Sequence, residues 1–241
     1  IRMTREEFYQ KVLEEFNIAL TEEQKNAFET YANFLLSYNT KVNITAIKTK
    51  EEVYLKHFFD SLTVLKYADM SNIESVLDVG SGGGFPGIVL KILYPSVSFT
   101  LLDSNHKKCD FQKAVIKLLK LNRIESINER AENYYKTNIK FDMVVARAVA
   151  PLNVLSELCI PFLNNNGHFI SMKTNNESEL NLATDAITIL GGKINNKYEF
   201  ELPNEGGNRV IYDIIKIKET PEGYPRVYDK IIKKPLKIKR K

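Results

Sequence analysis

The chain has 241 residues, 44% of them hydrophobic, which supports one substantial core and excludes a disordered or fibrous protein. Its two cysteines, Cys109 and Cys159, are too few for a disulfide framework and lack the paired spacing of a zinc site, so a reducing compartment and no metal are expected. The formal charge of +4 is unevenly placed: from Pro225 to Lys241 eight basic residues stand against one acid, Asp229, a net +7 that leaves −3 for the remainder. A mildly acidic body with a basic end points to an anionic partner, nucleic acid first, with a solvated tail as the alternative reading.

No apolar run approaches the roughly 18 residues that cross a bilayer, and the first residues lack a leader pattern, so a cytoplasmic protein without membrane contact is expected. Ile1 and Arg2, ahead of Met3, are expected to be appended residues. Residues 3–72 read as a helical cap. Apolar residues recur at three- and four-residue spacing in Phe8, Val12 and Phe16 and again in Phe28, Tyr31, Phe34 and Leu35, and Thr21 with Gln24 has the form of a capping box. A third helical pattern covers Val53, His57, Leu62 and Leu65.

After Asn72 short β-branched runs alternate with amphipathic stretches, the pattern of βαβ units and a doubly wound parallel sheet over residues 73–224. Strands are predicted at 75–79, 98–102, 123–128, 142–146 and 168–173, with helices starting near Pro86 and running from about Ser104 through Leu121. The runs 197–202 and 210–217, divided by the turn-like segment 204–208, predict an antiparallel hairpin at the sheet edge. The basic extension then covers residues 225–241.

The first strand ends in Asp78-Val79-Gly80-Ser81-Gly82-Gly83-Gly84, at the centre of the crevice where open α/β sheets bind ligands. Gly80, Gly82 and Gly84 allow a tight turn and close approach of backbone to a ligand. Asp103 follows Gly80 by 23 residues, at the end of the next strand, where an acid can accept both hydroxyls of an adenosine ribose. A carboxylate at Asp78 would repel a pyrophosphate but attract the ammonium and sulfonium of S-adenosyl-L-methionine. The loop Asp-x-Gly-x-Gly-x-Gly resembles the first motif of class I S-adenosylmethionine-dependent methyltransferases, whose Rossmann-like fold is therefore expected.

A narrower resemblance lies in the order of six segments: Asn43-Ile44-Thr45, His57-Phe58-Phe59-Asp60-Ser61-Leu62, the run from Asp78 to Gly87, Leu102-Asp103-Ser104 with Lys107-Lys108, Arg130-Ala131-Glu132, and Arg147-Ala148-Val149-Ala150-Pro151-Leu152. Together they resemble the bacterial methyltransferase G family, also called glucose-inhibited division protein B, over nearly the whole chain. Tyr224-Pro225-Arg226 and Lys234-Pro235-Leu236 are similar to that family's ending, but Tyr228-Asp229 replaces a glycine expected after the arginine. The resemblance implies methylation of N7 of a guanine in 16S ribosomal RNA. It further implies cofactor contacts at Gly80, Phe85, Asp103, Ala131, Glu132 and Arg147, with Asp78, Gly82 and Gly84 nearby.

Each of these has a plainer reading. Phe85 can be core, Glu132 can simply start a helix, and Arg147 can bind the cofactor carboxylate or RNA or be a surface charge. His57 and Asp60, three apart on a predicted helix, can orient each other or the substrate, or be structural; Asn43 and Thr45 can be only a cap or turn. Lys107, Lys108, Arg226, Lys233, Lys234 and Lys237 are candidates for RNA phosphates, with a solvated face as the alternative.

The fourth strand is not followed by the Asn/Asp-Pro-Pro-aromatic run of exocyclic-amine methylases, and neither cysteine lies in a Pro-Cys setting. Guanine N7 carries an in-plane lone pair and needs no deprotonation, so alignment suffices and no general base is named. The partner expected is small-subunit ribosomal RNA, free or in an assembling or assembled 30S subunit, and the protein itself is expected to be a monomer. Two other readings stay open: a methyltransferase acting on a small molecule or protein, and an RNA-binding module that holds S-adenosylmethionine without using it.

Overall fold

In the computed structural model, which describes residues 1–147, 150–174 and 178–241, the β-branched runs assemble into one seven-stranded sheet. Strands β1 (Ser75–Val79), β2 (Ser98–Asp103), β3 (Ile124–Asn128), β4 (Phe141–Arg147) and β5 (Leu163–Lys173) are parallel. The hairpin β6 (Gly192–Leu202) and β7 (Gly207–Lys216) joins antiparallel to β5, giving the order β3-β2-β1-β4-β5-β7-β6. Chain order reverses beside β1, so the ends of β1 and β4 open the crevice of the sheet.

Two strands begin well ahead of the sequence reading. β5 begins at Leu163 rather than His168, and β6 at Gly192 rather than Lys197. The extra residues are rich in asparagine, which disfavours strands; pairing of Leu163 with Phe141 and of Gly192 with Lys216 draws them into the ladder despite their propensity.

Helices cover both faces. In β1, Val76 faces one core, which includes Phe99, Leu101 and Phe111, while Leu77 and Val79 face the other, which includes Leu155, Phe162 and Ile187. On the first face lie α5 (Gly87–Leu93), α6 (His106–Leu118) and the N-terminal cap; on the second lie α8 (Leu152–Cys159) and α9 (Glu179–Ile189). A short α7 (Ala131–Tyr134) follows β3.

The cap begins with α1 (Arg5–Phe16) and α2 (Glu22–Asn39), each opened by a capping box, Thr4 with Glu7 and Thr21 with Gln24. Phe8, Phe28, Tyr54 and Phe58 join the cap's helices, with ring centroids 5.1–5.2 Å apart. The third helical pattern is a composite: α3 (Lys50–Glu52) widens into a π-helix over Val53–Phe59, then narrows through α4 (Asp60–Leu62) to a 3₁₀ turn at Thr63–Lys66.

The basic extension is docked rather than solvated along its whole length. It forms α10 (Tyr228–Lys233), buries Ile231 and Leu236 in the second core, and pairs Arg240 with Asp185 at 3.0 Å. Among the described residues no helix is long and apolar enough to cross a membrane.

Candidate active site

The glycine loop is held from three sides. The N–H groups of Gly80 and Ser81 donate to the Leu102 carbonyl at the end of β2. From α6, buried Gln112 donates to Ser81 Oγ at 2.8 Å and to the Gly82 carbonyl at 2.6 Å, while its own oxygen accepts from Ser126 Oγ. From α2, Tyr31 donates its hydroxyl to the Gly83 carbonyl. Gly84 sits at φ +95°, and a Cβ there would lie 2.6 Å from that hydroxyl, so only glycine fits. Gly87 has the same constraint for a different reason: a Cβ would lie 2.3 Å from Leu101, because α5 begins directly on β2.

Beyond the loop lies a cavity of about 620 Å³. Gly80, Gly82, Phe85, Asp103, Ala131, Glu132 and Arg147 all line it, whereas Gly84 and Asp78 do not. The placement of Asp78 overturns the expectation that its charge attracts the cofactor. Strand alternation puts Asp78 on the face of Val76, under the first turn of α5, where Oδ2 accepts from Gly87 N at 2.8 Å and Oδ1 finds no partner among the described residues. Complete burial pushes its carboxyl well above the ordinary range, favouring the neutral form.

One end of the cavity is acidic. Asp103 accepts Gly82 N through Oδ2 and Asn105 N through Oδ1, both at 2.9 Å, and no cation among the described residues lies within salt-bridge distance of it. Each oxygen keeps a further lone pair, which is the donor-seeking arrangement that two vicinal ribose hydroxyls require. Glu132 starts α7 and also lines the cavity, so its two readings combine; its carboxylate accepts from Arg130 Nε at 2.7 Å. The Arg130 guanidinium lies 4.4 Å from the ring centroid of Tyr228, which lines the same end. The tyrosine standing in place of the expected glycine therefore brings the C-terminal segment to the cavity wall. A glycine cradle, an unpaired acid and flanking rings fit an adenosine-type cofactor.

The other end is built between the cap and β4. Phe85 lies parallel to His57 with centroids 4.1 Å apart and to Tyr31 at 5.5 Å. Arg147 projects on the cap face, as Val145 does two residues earlier, and donates to the Lys56 carbonyl and to His57 Nδ1, both at 3.0 Å. Its neighbours Ala148 and Val149 lie outside the described residues. His57 Nε2 meets Thr45 Oγ1 at 2.8 Å. Burial, reinforced by the Arg147 charge, holds the imidazole pKa well below its usual value.

Of the readings left open for His57 and Asp60, mutual orientation is not realised: Asp60 instead accepts from Arg209 Nε at 3.1 Å. The π-helical turn is the reason, since its i→i+5 spacing rotates residues three apart off a common face. Thr45, read as a cap or turn, accepts from Ile47 N through its hydroxyl at 3.2 Å and also lines the cavity; Asn43 is exposed. Asn39 fixes this loop by accepting from Ile44 N and Thr45 N and donating to the Thr45 carbonyl. Sequence reasoning missed Gln112, Tyr31 and Asn39. For Gln112 a signal existed, a polar side chain on the stripe formed by Cys109 and Ile116.

Of the candidates for RNA, Lys108 lines the cavity mouth and Lys107 is exposed beside it in the first turn of α6. Lys233, Lys234 and Lys237 are exposed on the docked extension. Arg226 departs from expectation: its guanidinium and backbone N–H hold the buried Glu157 carboxylate, with contacts of 2.7 and 2.8 Å, so it anchors the extension to α8.

A family model described as rRNA small subunit methyltransferase G matches residues 24–205. The chain is 44% identical over 227 residues to "Ribosomal RNA small subunit methyltransferase G" of Macrococcus caseolyticus, covering 93% of this chain and 95% of that protein. Among solved structures, TrmN from Thermus thermophilus aligns with a TM-score of 0.55 at 15% identity over 68% of this chain and 53% of its own. The ribosomal protein L11 methylase of Lactobacillus delbrueckii aligns at 0.50 and 19% identity, over 66% and 78%. The fold is that of the class I S-adenosylmethionine-dependent methyltransferases.

Proposed function

The chain belongs to the rRNA small subunit methyltransferase G family, and on that premise we propose that it methylates N7 of a guanine in 16S ribosomal RNA by direct in-line transfer. Its cofactor is S-adenosylmethionine, which supplies a methyl group on a sulfonium as the electrophile. Asp103 binds the ribose hydroxyls, the segment Ala131–Glu132 flanks the adenine, and Gly80 and Gly82 admit the backbone close to the ligand. Phe85 closes the wall beside the reacting end, with Arg147 and His57 holding that wall in place.

One observation carries the N7 reading. Among the described residues the cavity's carboxylates are Asp103, Glu129 and Glu132, all at the end formed by β2 and β3, and the one imidazole described at the opposite end, His57, has both ring nitrogens engaged. No described group there is disposed to remove a proton, and guanine N7 is a nucleophile that has none to lose. Alignment alone can supply about 7 to 11 kcal/mol of the barrier. RNA phosphates are bound by Lys107 and Lys108 at the mouth and by Lys233, Lys234 and Lys237 on the extension, in a cytoplasmic, monomeric enzyme.

The test is incubation with labelled S-adenosylmethionine and small-subunit RNA, free or in 30S particles, from a strain lacking this modification. Label in 7-methylguanosine at one position is expected. Label on an exocyclic amine or ribose, or none on any assembly state, refutes the reading.

A further inference from the structure

We propose that the Thr45 hydroxyl donates a hydrogen bond to O6 of the target guanine, making it a residue that selects guanine over adenine; this rests on the N7 reading above.

The argument follows the protons along the chain Arg147, His57, Thr45. A guanidinium has donors and no acceptor, so His57 Nδ1, 3.0 Å from Arg147 Nη2, must be the acceptor. A neutral imidazole carries one proton, and with Nδ1 accepting it sits on Nε2. Nε2 lies 2.8 Å from Thr45 Oγ1 and therefore donates to it. The Ile47 backbone N–H donates to the same oxygen at 3.2 Å. Both lone pairs of the hydroxyl are then used, and its hydrogen must go elsewhere. Among the described residues none accepts it, and Thr45 lines the cavity beside His57 and Phe85, at the end away from Asp103. The result is a donor of fixed role, polarised through an uncharged ring by a half-buried cation, at the end of the cavity where the N7 reading puts methyl transfer.

That donor distinguishes the purines. Beside N7, guanine presents O6, an acceptor, and adenine presents the N6 amine, a donor. A hydroxyl that has no acceptor capacity left pairs with the first and is left unpaired against the second. His57 and Arg147 are positioning residues in this scheme: they do not touch the base but fix which way the hydroxyl can point. Asn39 holds the Thr45 backbone and so fixes where the hydroxyl stands.

The experiment compares wild type with Thr45→Val and Thr45→Ser on small-subunit RNA carrying either guanine or 2-aminopurine, which lacks O6, at the methylated position mapped with wild type. Thr45→Val is expected to lower kcat/KM on guanine about tenfold, with the cofactor Kd unchanged. Thr45→Ser is expected to stay within about threefold of wild type. On the 2-aminopurine RNA wild type and Thr45→Val should become equal, since the bond is then missing for both. A Thr45→Val enzyme equal to wild type on guanine overturns the proposal. So does an equal loss on both RNAs, which marks a structural role, or a raised cofactor Kd, which assigns the donor to the methionyl carboxylate. If Thr45→Val does not fold, equal rates of wild type on the two RNAs overturn it. Absence of 7-methylguanosine from the wild-type product is a different result, and it removes the N7 reading itself.

Discussion

Replacing Arg226 with methionine isolates the contact that ties the basic extension to the core. The Glu157 carboxylate, 1% exposed, accepts from Arg226 N at 2.7 Å, Nε at 3.1 Å and Nη2 at 2.8 Å, and Arg226 itself is 21% exposed. Removing the guanidinium leaves a buried carboxylate with one backbone N–H, a loss of about 3–5 kcal/mol. In a chain of this length each kcal/mol moves the melting temperature by about 2–4 °C, which gives a fall of about 6–20 °C. Partial exposure of the arginine lets water reach the orphaned charge, so the lower half of that range is expected. Converting Glu157 to methionine as well removes the buried charge and should recover most of the loss. Scanning calorimetry of the two single variants and the double variant reads this directly. A single variant melting within about 2 °C of wild type, or a double variant no better than Arg226→Met, refutes the reasoning. The sequence reading made Arg226 a phosphate contact; a salt dependence of RNA binding unchanged in Arg226→Met would assign it to folding alone.

Asp103→Asn keeps the shape of the acidic end but removes its charge, and the Kd for S-adenosylmethionine measured by calorimetry should rise about ten- to a hundredfold; a value within twofold would remove Asp103 from the ribose site. His57 has a folded pKa below its unfolded value near 6.5, so above that pH it adds no pH dependence, and below it the unfolded chain takes up a proton the folded one refuses. Stability should therefore fall by up to about 1.4 kcal/mol per pH unit as the pH drops from 6.5, and His57→Asn should lack that slope in urea titrations at pH 7, 6 and 5. His168 acts in the opposite sense, because its bond to Asp213 raises its pKa; its stabilisation is greatest in acid and fades as pH rises, so the His57 variant is judged against wild type at each pH. Changing Lys233, Lys234 and Lys237 together to alanine should reduce the slope of log K against log salt for RNA by about two to three, with cofactor affinity intact; an unchanged slope would leave these lysines as a solvated face.

The sheet was legible because its signals are local: an apolar run, a glycine cluster and a proline at the helix start sit side by side from Ser75 to Gly87. The errors at the site arose where a regular rule met an irregular backbone or a distant partner. His57 and Asp60 share a face only at α-helical period, and the π-helix breaks that period between them. Asp78 was placed by its neighbourhood in the motif, when alternation along β1 already put it on the side of Val76. Arg226 is one charge in a basic run; its partner lies 69 positions earlier, and the only trace was Glu157, the one charged residue of the helix Leu152–Cys159. Thr45 was visible only as part of the segment Asn43-Ile44-Thr45, since its role depends on which nitrogen of His57 holds the proton, and Arg147 decides that from β4.

These placements assign the two ends of the cavity to different parts of the chain. The acidic end comes from the sheet, at the tips of β2 and β3, and is closed by Tyr228 from the extension. The neutral, donor-bearing end comes from the cap through Thr45 and His57, joined to the sheet by Arg147 alone among the charged groups described there. A helical cap added only for stability would need no such half-buried cation beneath it, because a guanidinium whose nearest carboxylate, Asp60, stands 4.0 Å away is costly to hold under an aromatic cluster. The cost is offset by fixing the His57 tautomer, which matters only if the cap end takes part in the transfer. Variants should divide accordingly: changes at Asp103 or Glu132 should act on cofactor affinity, and changes at Thr45 or His57 on the rate of transfer to RNA at saturating cofactor. Measuring Kd and single-turnover rate for both sets decides it, and a Thr45 or His57 variant that altered only cofactor affinity would return the cap to a structural role.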